Sequence, residues 1–172
     1  KNGYVDVTFT TDWVIEEYMQ IPLYEDLRNC FDEEFLAENE EYILTRYKNT
    51  LKKQKMFASY GSATKEQILL SESILSTVFS EDYKLYLEEF GCADYYGHEL
   101  TGICDFERLN VVNVTIEERN LNPSVPDNWY VIEQANIEGI VIWQSSTGEI
   151  YLTAPNTEPK KICNSLGEYI IL

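Results

Sequence analysis

The chain has 172 residues, of which 44% are hydrophobic and 13% aromatic, and this is enough for one globular domain whose core needs no disulfide or metal. Thirteen Lys and Arg residues stand against thirty Asp and Glu, and the formal net charge of -17 repels phosphate backbones and anionic bilayers. Composition therefore argues against direct binding of nucleic acid or membranes and favours partners with a basic surface.

The cysteines and the histidine do not form a zinc-binding pattern. Cys30, Cys92, Cys104 and Cys163 lie far apart with no CxxC pair, and His98 is the only histidine. Such cysteines are most often small buried hydrophobes in a reducing compartment. No signal-peptide pattern is present, and no uncharged run approaches the roughly 18 residues that a membrane span needs. We therefore predict a cytoplasmic protein without cofactors, and we favour a monomer.

The first third of the chain contains two predicted elements. Alternating apolar residues predict a strand at 4–10, and a helical apolar period without Gly or Pro predicts a long helix at 34–55.

Two helices should follow. Thr64 and Gln67 form a T-x-x-Q capping box that begins a helix running to about Phe79. Ser80 can cap the next helix, and Gly91 can end it in the left-handed conformation. This second helix carries a stripe of large apolar side chains at i, i+3, i+4 and i+7, namely Tyr83, Tyr86, Leu87 and Phe90. We predict that the stripe faces the core and that the carboxylate-rich remainder faces solvent.

From Gly97 onward the apolar period becomes two, which is typical of strands. The candidate strands are 98–103, 109–115, 129–134, 139–144 and 149–153. The last two are joined by the turn "SSTG", in which Gly148 can adopt a positive φ, so we expect an antiparallel hairpin. Ser165 and Glu168 form a second capping box before a short terminal helix. The predicted fold is α+β, with helices packed on a mostly antiparallel sheet.

The order of these segments resembles the SUKH superfamily, which contains immunity proteins of bacterial toxin systems and relatives of a fungal regulator of cell-wall synthesis. The resemblance covers residues 58 to 172, and it implies a SUKH-like α+β domain at 58–172 with 1–57 as a loosely matched extension packed on it. Its pieces, in chain order, are "ASYGSATKEQILLSESIL", the hallmark "EDYKLYLEEFG" helix, "GHELTGI", "VVNVTIEER" as a strand leading to a Thr-x-x-x-Arg turn, "VPDNWYVIEQANIEGIVIW" and the closing "ICNSLGEYI". Phe79 and Ser80 replace the usual Leu-Pro, and "NIEG" at 136–139 shortens a loop that is often longer.

No pattern of an enzyme is persuasive. His98 could act as a general base beside Glu99, but successive strand residues point to opposite faces, so a structural or surface histidine is the simpler interpretation. Glu72 lies on the apolar side of its helix and should bond to backbone or to an arginine such as Arg108 or Arg119. A weak enzyme built on His98 or Glu72 stays a remote alternative.

The leading hypothesis is an acidic, non-enzymatic bacterial immunity protein that binds a basic toxin domain, a nuclease, because nucleases must hold phosphates. The alternative is an intracellular scaffold or regulatory module that uses the same face, and acidity can also serve only solubility. The candidate contacts are Asp94, Tyr95, Tyr96, Glu99, Asp105, Phe106, Glu107, Glu117 and Glu118. Tyr95, Tyr96 and Phe106 could instead support the sheet, and Trp129 and Trp143 should lie in the core.

Overall fold

The structure, a computed structural model, describes residues 56–171 and, before them, Asn49, Lys52 and Lys53. The strand predicted at 4–10 lies outside the described residues, as does most of the helix predicted at 34–55. The division of the chain at residue 57 stays a prediction.

The described part folds as an α+β domain, as predicted. Its sheet has seven strands in the order β1 to β7, and every neighbouring pair is antiparallel. The elements in chain order are β1 (Ala58–Ser59), α1 (Lys65–Leu75), α2 (Glu81–Phe90), β2 (Ala93–Tyr95), β3 (His98–Leu100), α3 (Val111–Leu121), β4 (Trp129–Gln134), β5 (Val141–Ser145), β6 (Ile150–Thr153), β7 (Lys160–Cys163) and α4 (Leu166–Ile171). A 3-10 helix, Glu107–Leu109, precedes α3. None of the described helices has the length and apolar character that a bilayer span requires.

Helices cover both faces of the sheet, so alternate residues of the central strands enter two apolar clusters. The larger cluster joins the stripe of α2 to Tyr130 and Ile132 of β4 and to Leu166 and Ile170 of α4. The smaller cluster joins Val114 of α3 to residues on the other face, Trp129, Val131, Val141 and Trp143. The four side chains of the α2 stripe are at most 1% exposed, and both tryptophans are buried, so these predictions are confirmed.

The capping box of α1 is present, but the helix ends earlier than predicted. The Thr64 N–H donates to Gln67 Oε1 at 2.8 Å, and the Gln67 N–H donates to Thr64 Oγ1 at 3.2 Å. At the other end Ser76 adopts a left-handed conformation (φ 53°, ψ 37°), which stops the helix at Leu75. The chain then turns Phe79 into the core, where its ring is 1% exposed.

The ends of α2 differ in detail from the sequence expectation. Ser80 occupies the N-cap position, yet its hydroxyl donates to Asp82 Oδ1 at 2.5 Å instead of accepting from a helix N–H. Gly91 ends the helix with φ 63° but with ψ -69°, which lies outside the left-handed helical region. In α4, Ser165 does cap the N–H of Glu168, whereas the Glu168 carboxylate binds the N–H of Asn164.

The strand predicted at 109–115 is wrong, because this segment forms α3. Val111, Val114 and Thr115 are buried at the i, i+3, i+4 spacing of a helix. The Asn110 side chain caps the helix by accepting from the N–H groups of Val112 (3.1 Å) and Asn113 (3.3 Å). The run of β-branched residues indicated a strand, but β propensity is a weak preference. The Asn110 cap and the burial of one helix face outweigh it.

The other predicted strands are present with shifted ends. The strand at 129–134 is confirmed as β4, while 98–103 contracts to β3, 139–144 becomes β5 and 149–153 becomes β6. The hairpin turn before β6 contains Gly148 at φ 96°, as expected. The short strands β1, β2 and β7 were not predicted.

A buried carboxylate, that of Asp82, holds α2, the sheet and α4 together. Asp82 is 0% exposed, and its oxygens accept from the N–H groups of Tyr83 (2.8 Å) and Leu166 (2.7 Å) and from Gln144 Nε2 (3.1 Å). Burial raises the pKa of this carboxyl, and the donors around it, led by Ser80, offset part of the rise.

We expect Asp82→Asn to lower the free energy of unfolding by about 1 to 3 kcal/mol, because either orientation of the amide turns an NH₂ group towards buried donors. Urea unfolding measures the change. Asp105→Asn, the same substitution at an exposed position, should change stability by less than about 0.5 kcal/mol. Equal effects of the two substitutions would contradict this role of Asp82.

The close approach of two backbone segments requires glycine at position 102. A Cβ atom there would lie 1.7 Å from the carbonyl oxygen of Gly91, and neither partner is the end of a flexible side chain. This contact follows the β2–β3 hairpin, where the Ile103 N–H donates to the Gly91 oxygen at 2.9 Å.

Gly102→Ala should therefore destabilise the protein by about 3 kcal/mol or more, since backbone must move to admit the methyl group. Thermal unfolding compares it with Gly97→Ala. At position 97 a Cβ atom meets nothing within 4 Å, so only the positive φ of 92° opposes the change, and a loss of about 1 kcal/mol is expected. A larger loss at position 97 than at position 102 would show that the packing argument is wrong.

Candidate partner-binding surface

Two acidic residues of the predicted contact set stand side by side on the β2–β3 hairpin. Asp94 and Glu99 are register partners, and the adjacent pair Ala93 and Leu100 belongs to the larger core cluster. Because side chains alternate along strands, the two carboxylates lie on the face opposite to α2. The hairpin thus presents a pair of negative charges on one surface.

Each carboxylate of the pair accepts a hydrogen bond from a side chain of another segment. The Tyr60 hydroxyl donates to Asp94, and the hydrogen bond raises the pKa of Tyr60. The Arg108 guanidinium donates to Glu99, which likewise raises the pKa of Arg108. The Arg108 and Glu99 side chains are 63% and 33% exposed, so solvent screens this ion pair and its main effect is on orientation.

Exposed aromatic rings stand beside the carboxylates. Tyr60 and Phe106 form an edge-to-face pair with centroids 5.2 Å apart, and they are 44% and 49% exposed. Tyr96, at the hairpin turn, is 69% exposed with a φ of 50°. Tyr95 is buried and belongs to the larger cluster, so the alternative of a sheet-supporting role holds for this tyrosine. We call Tyr60, Asp94, Glu99, Phe106 and Arg108 the hairpin surface.

The remaining predicted contacts separate into two groups. Asp105 and Glu107 are exposed and flank Phe106 in the chain, so they add negative charge beside the hairpin surface. Glu117 and Glu118 lie on α3 instead. Glu117 is exposed, whereas Glu118 is half-buried and accepts a hydrogen bond from Gln134 Nε2 at 2.5 Å.

Two neighbouring cavities lie between Glu118 and the hairpin surface. The larger, about 910 Å³, runs between the C-terminal end of α3 and the segment 153–158 and is lined by Glu118. The smaller, about 100 Å³, is lined by Glu99 and Arg108 of the hairpin surface. Gln134 and Asn136 line both cavities, so the two are adjacent.

Sequence reasoning missed Tyr60 and Arg108 as parts of the hairpin surface, and it missed Gln134 and Asn136 as lining residues of the cavities beside it. Arg108 was predicted only as a possible partner for Glu72. The positions of Tyr60 and Arg108 depend on the pairing of β1 with β2 and on the bend after β3. No local sequence pattern predicts either feature.

His98 lies on the other face of the hairpin, away from Glu99. Its Nδ1 is 3.0 Å from Glu133 Oε1, and the Tyr169 hydroxyl donates to Glu133 Oε2 at 2.8 Å. The Tyr95 ring stacks on the imidazole with centroids 5.0 Å apart. The histidine side chain is 45% exposed, while that of Glu133 is 5% exposed. A buried carboxylate thus fixes the orientation of a half-exposed imidazole.

Glu72 has a structural role. Its Oε1 accepts the Phe79 N–H at 2.7 Å and lies 3.6 Å from Lys84 Nζ, so it closes the connection between α1 and α2. The backbone bond agrees with the sequence expectation, but the cation is a lysine and not Arg108 or Arg119. Among the described residues no group of three or more His, Cys, Asp or Glu side chains could hold a metal ion.

A family model described as SUKH_5, SMI1-KNR4 cell-wall, matches residues 32–171. The chain belongs to the SUKH superfamily. Comparison with curated proteins gives no match. The SUKH match includes residues 32–57, which the sequence analysis had assigned to the extension.

The Thr-x-x-x-Arg residues of this chain, Thr115 and Arg119, stabilise its fold. Thr115 of the Thr-x-x-x-Arg motif accepts the Val131 N–H at 2.9 Å and so ties α3 to β4. Arg119 donates to the carbonyl oxygens of Leu75 (3.0 Å) and Trp129 (2.9 Å), and also of Asp127. In this chain the Thr-x-x-x-Arg motif therefore makes structural contacts and is not part of the hairpin surface.

Glu133 makes stability depend on pH. Burial raises the pKa of its carboxyl, so the folded protein holds this proton more tightly than the unfolded chain does. The resulting stabilisation is fully present below the ordinary pKa of 4.5 and is lost as pH rises through the folded value.

The glutamine of Glu133→Gln does not titrate, so this variant should not show the loss of stability with rising pH. Its amide oxygen can still accept a hydrogen bond from the Tyr169 hydroxyl. We expect the free energy of unfolding of the parent to fall relative to the variant as pH rises above about 4.5, measured by urea unfolding at a series of pH values. In Glu138→Gln, at an exposed position, the free energy of unfolding should change with pH as it does in the parent. A parent that gains stability over Glu133→Gln with rising pH would mean that His98 keeps the carboxyl ionised.

Proposed function

We propose that this SUKH protein is a bacterial immunity protein that binds and neutralises a cognate toxin domain, a nuclease, without catalysing a reaction. The observation that carries the proposal is the hairpin surface, where paired carboxylates adjoin an exposed pair of aromatic rings. Family membership and the net charge of -17 support it.

The charge supports fast association with a cationic active site. A nuclease holds phosphates with Lys and Arg, and an acidic protein is drawn to that surface by long-range attraction. Asp94 and Glu99, with Asp105 and Glu107 beside them, place four carboxylates near one another against the single guanidinium of Arg108. The toxin cleft would meet these carboxylates in place of its substrate.

The aromatic rings support a slow dissociation. Charge alone seldom gives a tight complex, because exposed ion pairs contribute about 0 to 1 kcal/mol each. Aromatic side chains that become buried at the centre of an interface contribute more. Tyr60 and Phe106 are fixed against each other before binding, so little conformational entropy is lost when a partner covers them.

The test begins with the genes adjacent to the one for this chain, where we expect a neighbour that encodes a toxin with a basic C-terminal domain, and it uses that domain as the partner. Co-expression should rescue growth, and the purified protein should inhibit the nuclease at a molar ratio of about one to one. A partner of the scaffold type, with no toxic activity, would overturn the immunity proposal in favour of the regulatory alternative.

Variants separate the two parts of the surface. Asp94→Asn combined with Glu99→Gln should lower the association rate about tenfold at low salt and flatten its salt dependence, as measured by stopped flow or surface plasmon resonance. Phe106→Ala should raise the dissociation rate about tenfold with little change in association.

Matched controls lie on α1. Glu66→Gln removes one exposed charge and Leu70→Ala removes one exposed apolar side chain, and both should leave the rates within about twofold of the parent. An association rate that does not change between about 50 and 500 mM salt would contradict electrostatic steering. Controls that act as strongly as Phe106→Ala would move the interface to α1.

A further inference from the structure

Two cysteines lie together beneath the hairpin surface. The backbone segments that carry them are in contact, because the Ile103 N–H donates to the Gly91 oxygen at 2.9 Å. A Cβ atom on Gly102 would lie 3.0 Å from the Cα of Cys92, which shows how closely the segments approach. The Cys92 and Cys104 side chains are close enough to interact with each other. Cys92 is buried and Cys104 is half-buried.

We propose that Cys92 and Cys104 form a reversible disulfide, and that this bond fastens the segment carrying Phe106 and Arg108 to β2. The oxidant is of the class of low-molecular-weight disulfides. Bond formation stands independently of the function proposed above, whereas any effect on toxin binding rests on it.

The reaction is two successive thiol–disulfide exchanges. The more exposed thiol, that of Cys104, loses its proton and attacks the small disulfide, which releases one small thiol and leaves a mixed disulfide on Cys104. The Cys92 thiolate then attacks the Cys104 sulfur and releases the second small thiol. Two protein thiols are oxidised to one disulfide, and one small disulfide is reduced to two thiols.

The surroundings of the two cysteines set the pace of the reaction. Burial, followed by the interaction with Cys104, raises the pKa of Cys92, so its thiolate is scarce at neutral pH and the second exchange is slow. The slow second exchange limits disulfide formation during brief exposure to an oxidant. Gly91 and Gly102 carry no side chain to hold the two segments apart, and Ala93 and Thr101 beyond them belong to the buried part of the hairpin.

The bond would act on the candidate surface through a short piece of chain. The Cys104 thiol already contacts the Phe106 carbonyl oxygen at 3.9 Å, and Asn110 Nδ2 donates to the Cys104 carbonyl at 3.3 Å. Phe106 and Arg108 follow within four residues of Cys104. A covalent link from Cys104 to β2 therefore restricts the side chains that hold Tyr60 and Glu99.

The test is chemical and needs no partner. The full-length folded chain is incubated with oxidised glutathione at about pH 8, free thiols are alkylated, and the chain is digested with trypsin. Cleavage after Lys84 and Arg108 yields one peptide, 85–108, that contains Cys92 and Cys104 but neither Cys30 nor Cys163. We expect this peptide to be about 2 Da lighter, unalkylated, and restored to two alkylatable thiols by reduction.

Other products overturn the proposal. Two alkylated cysteines in peptide 85–108, a glutathione that stays on Cys104, or a cross-link to Cys30 or Cys163 would each show that the pair does not close. Cys104→Ser should abolish the mass loss, and Cys163→Ser, which removes another buried thiol, should leave it unchanged. Circular dichroism before and after oxidation checks that the fold persists.

Hydrogen exchange tests the fastening. Amides of residues 103–109 should exchange at least about threefold more slowly in the oxidised chain, while those of β5 and β6 should not change. Equal amide exchange rates for residues 103–109 in the oxidised and reduced chains would overturn the proposal that the disulfide restrains this segment. A failed toxin assay would leave these outcomes unaffected, so the two proposals fail separately.

Discussion

The position of the Asp82 carboxylate is the constraint on which the rest of the fold depends. An ionised group removed from water must be compensated by donors, and here the donors come from α2, β5 and the first N–H of α4. Segments 84 residues apart in the chain are thereby brought to one point. With α4 placed there, Tyr169 reaches Glu133, and one face of the sheet is closed.

Local chemistry made much of the fold predictable. The capping box at Thr64, the cap at Ser165 and the apolar stripe of α2 follow from periodicity and from the need to satisfy helix ends. The segment 109–115 was misread because valine favours strands, while the deciding cap on Asn110 lies inside the same segment. β1 and β7 are too short to show alternation, and pairing with a neighbour alone defines them.

The candidate surface was less predictable. Asp94, Glu99 and Phe106 were selected from charge and aromatic character, and the fold brings them onto or beside one face of the hairpin. Tyr60 and Arg108, which orient the two carboxylates, approach from segments that only the folded chain unites. The Thr-x-x-x-Arg motif could not have located the surface, because Thr115 and Arg119 maintain the packing of α3 on the sheet.

The two edges of the described sheet have a consequence for the chain at high concentration. β1 is two residues long, and β7 carries Lys160 and Lys161 directly after Pro159. Short edges, lysines and proline all hinder the addition of a strand from another molecule. Growth of the described sheet into fibrils by addition of a strand is therefore disfavoured at both ends.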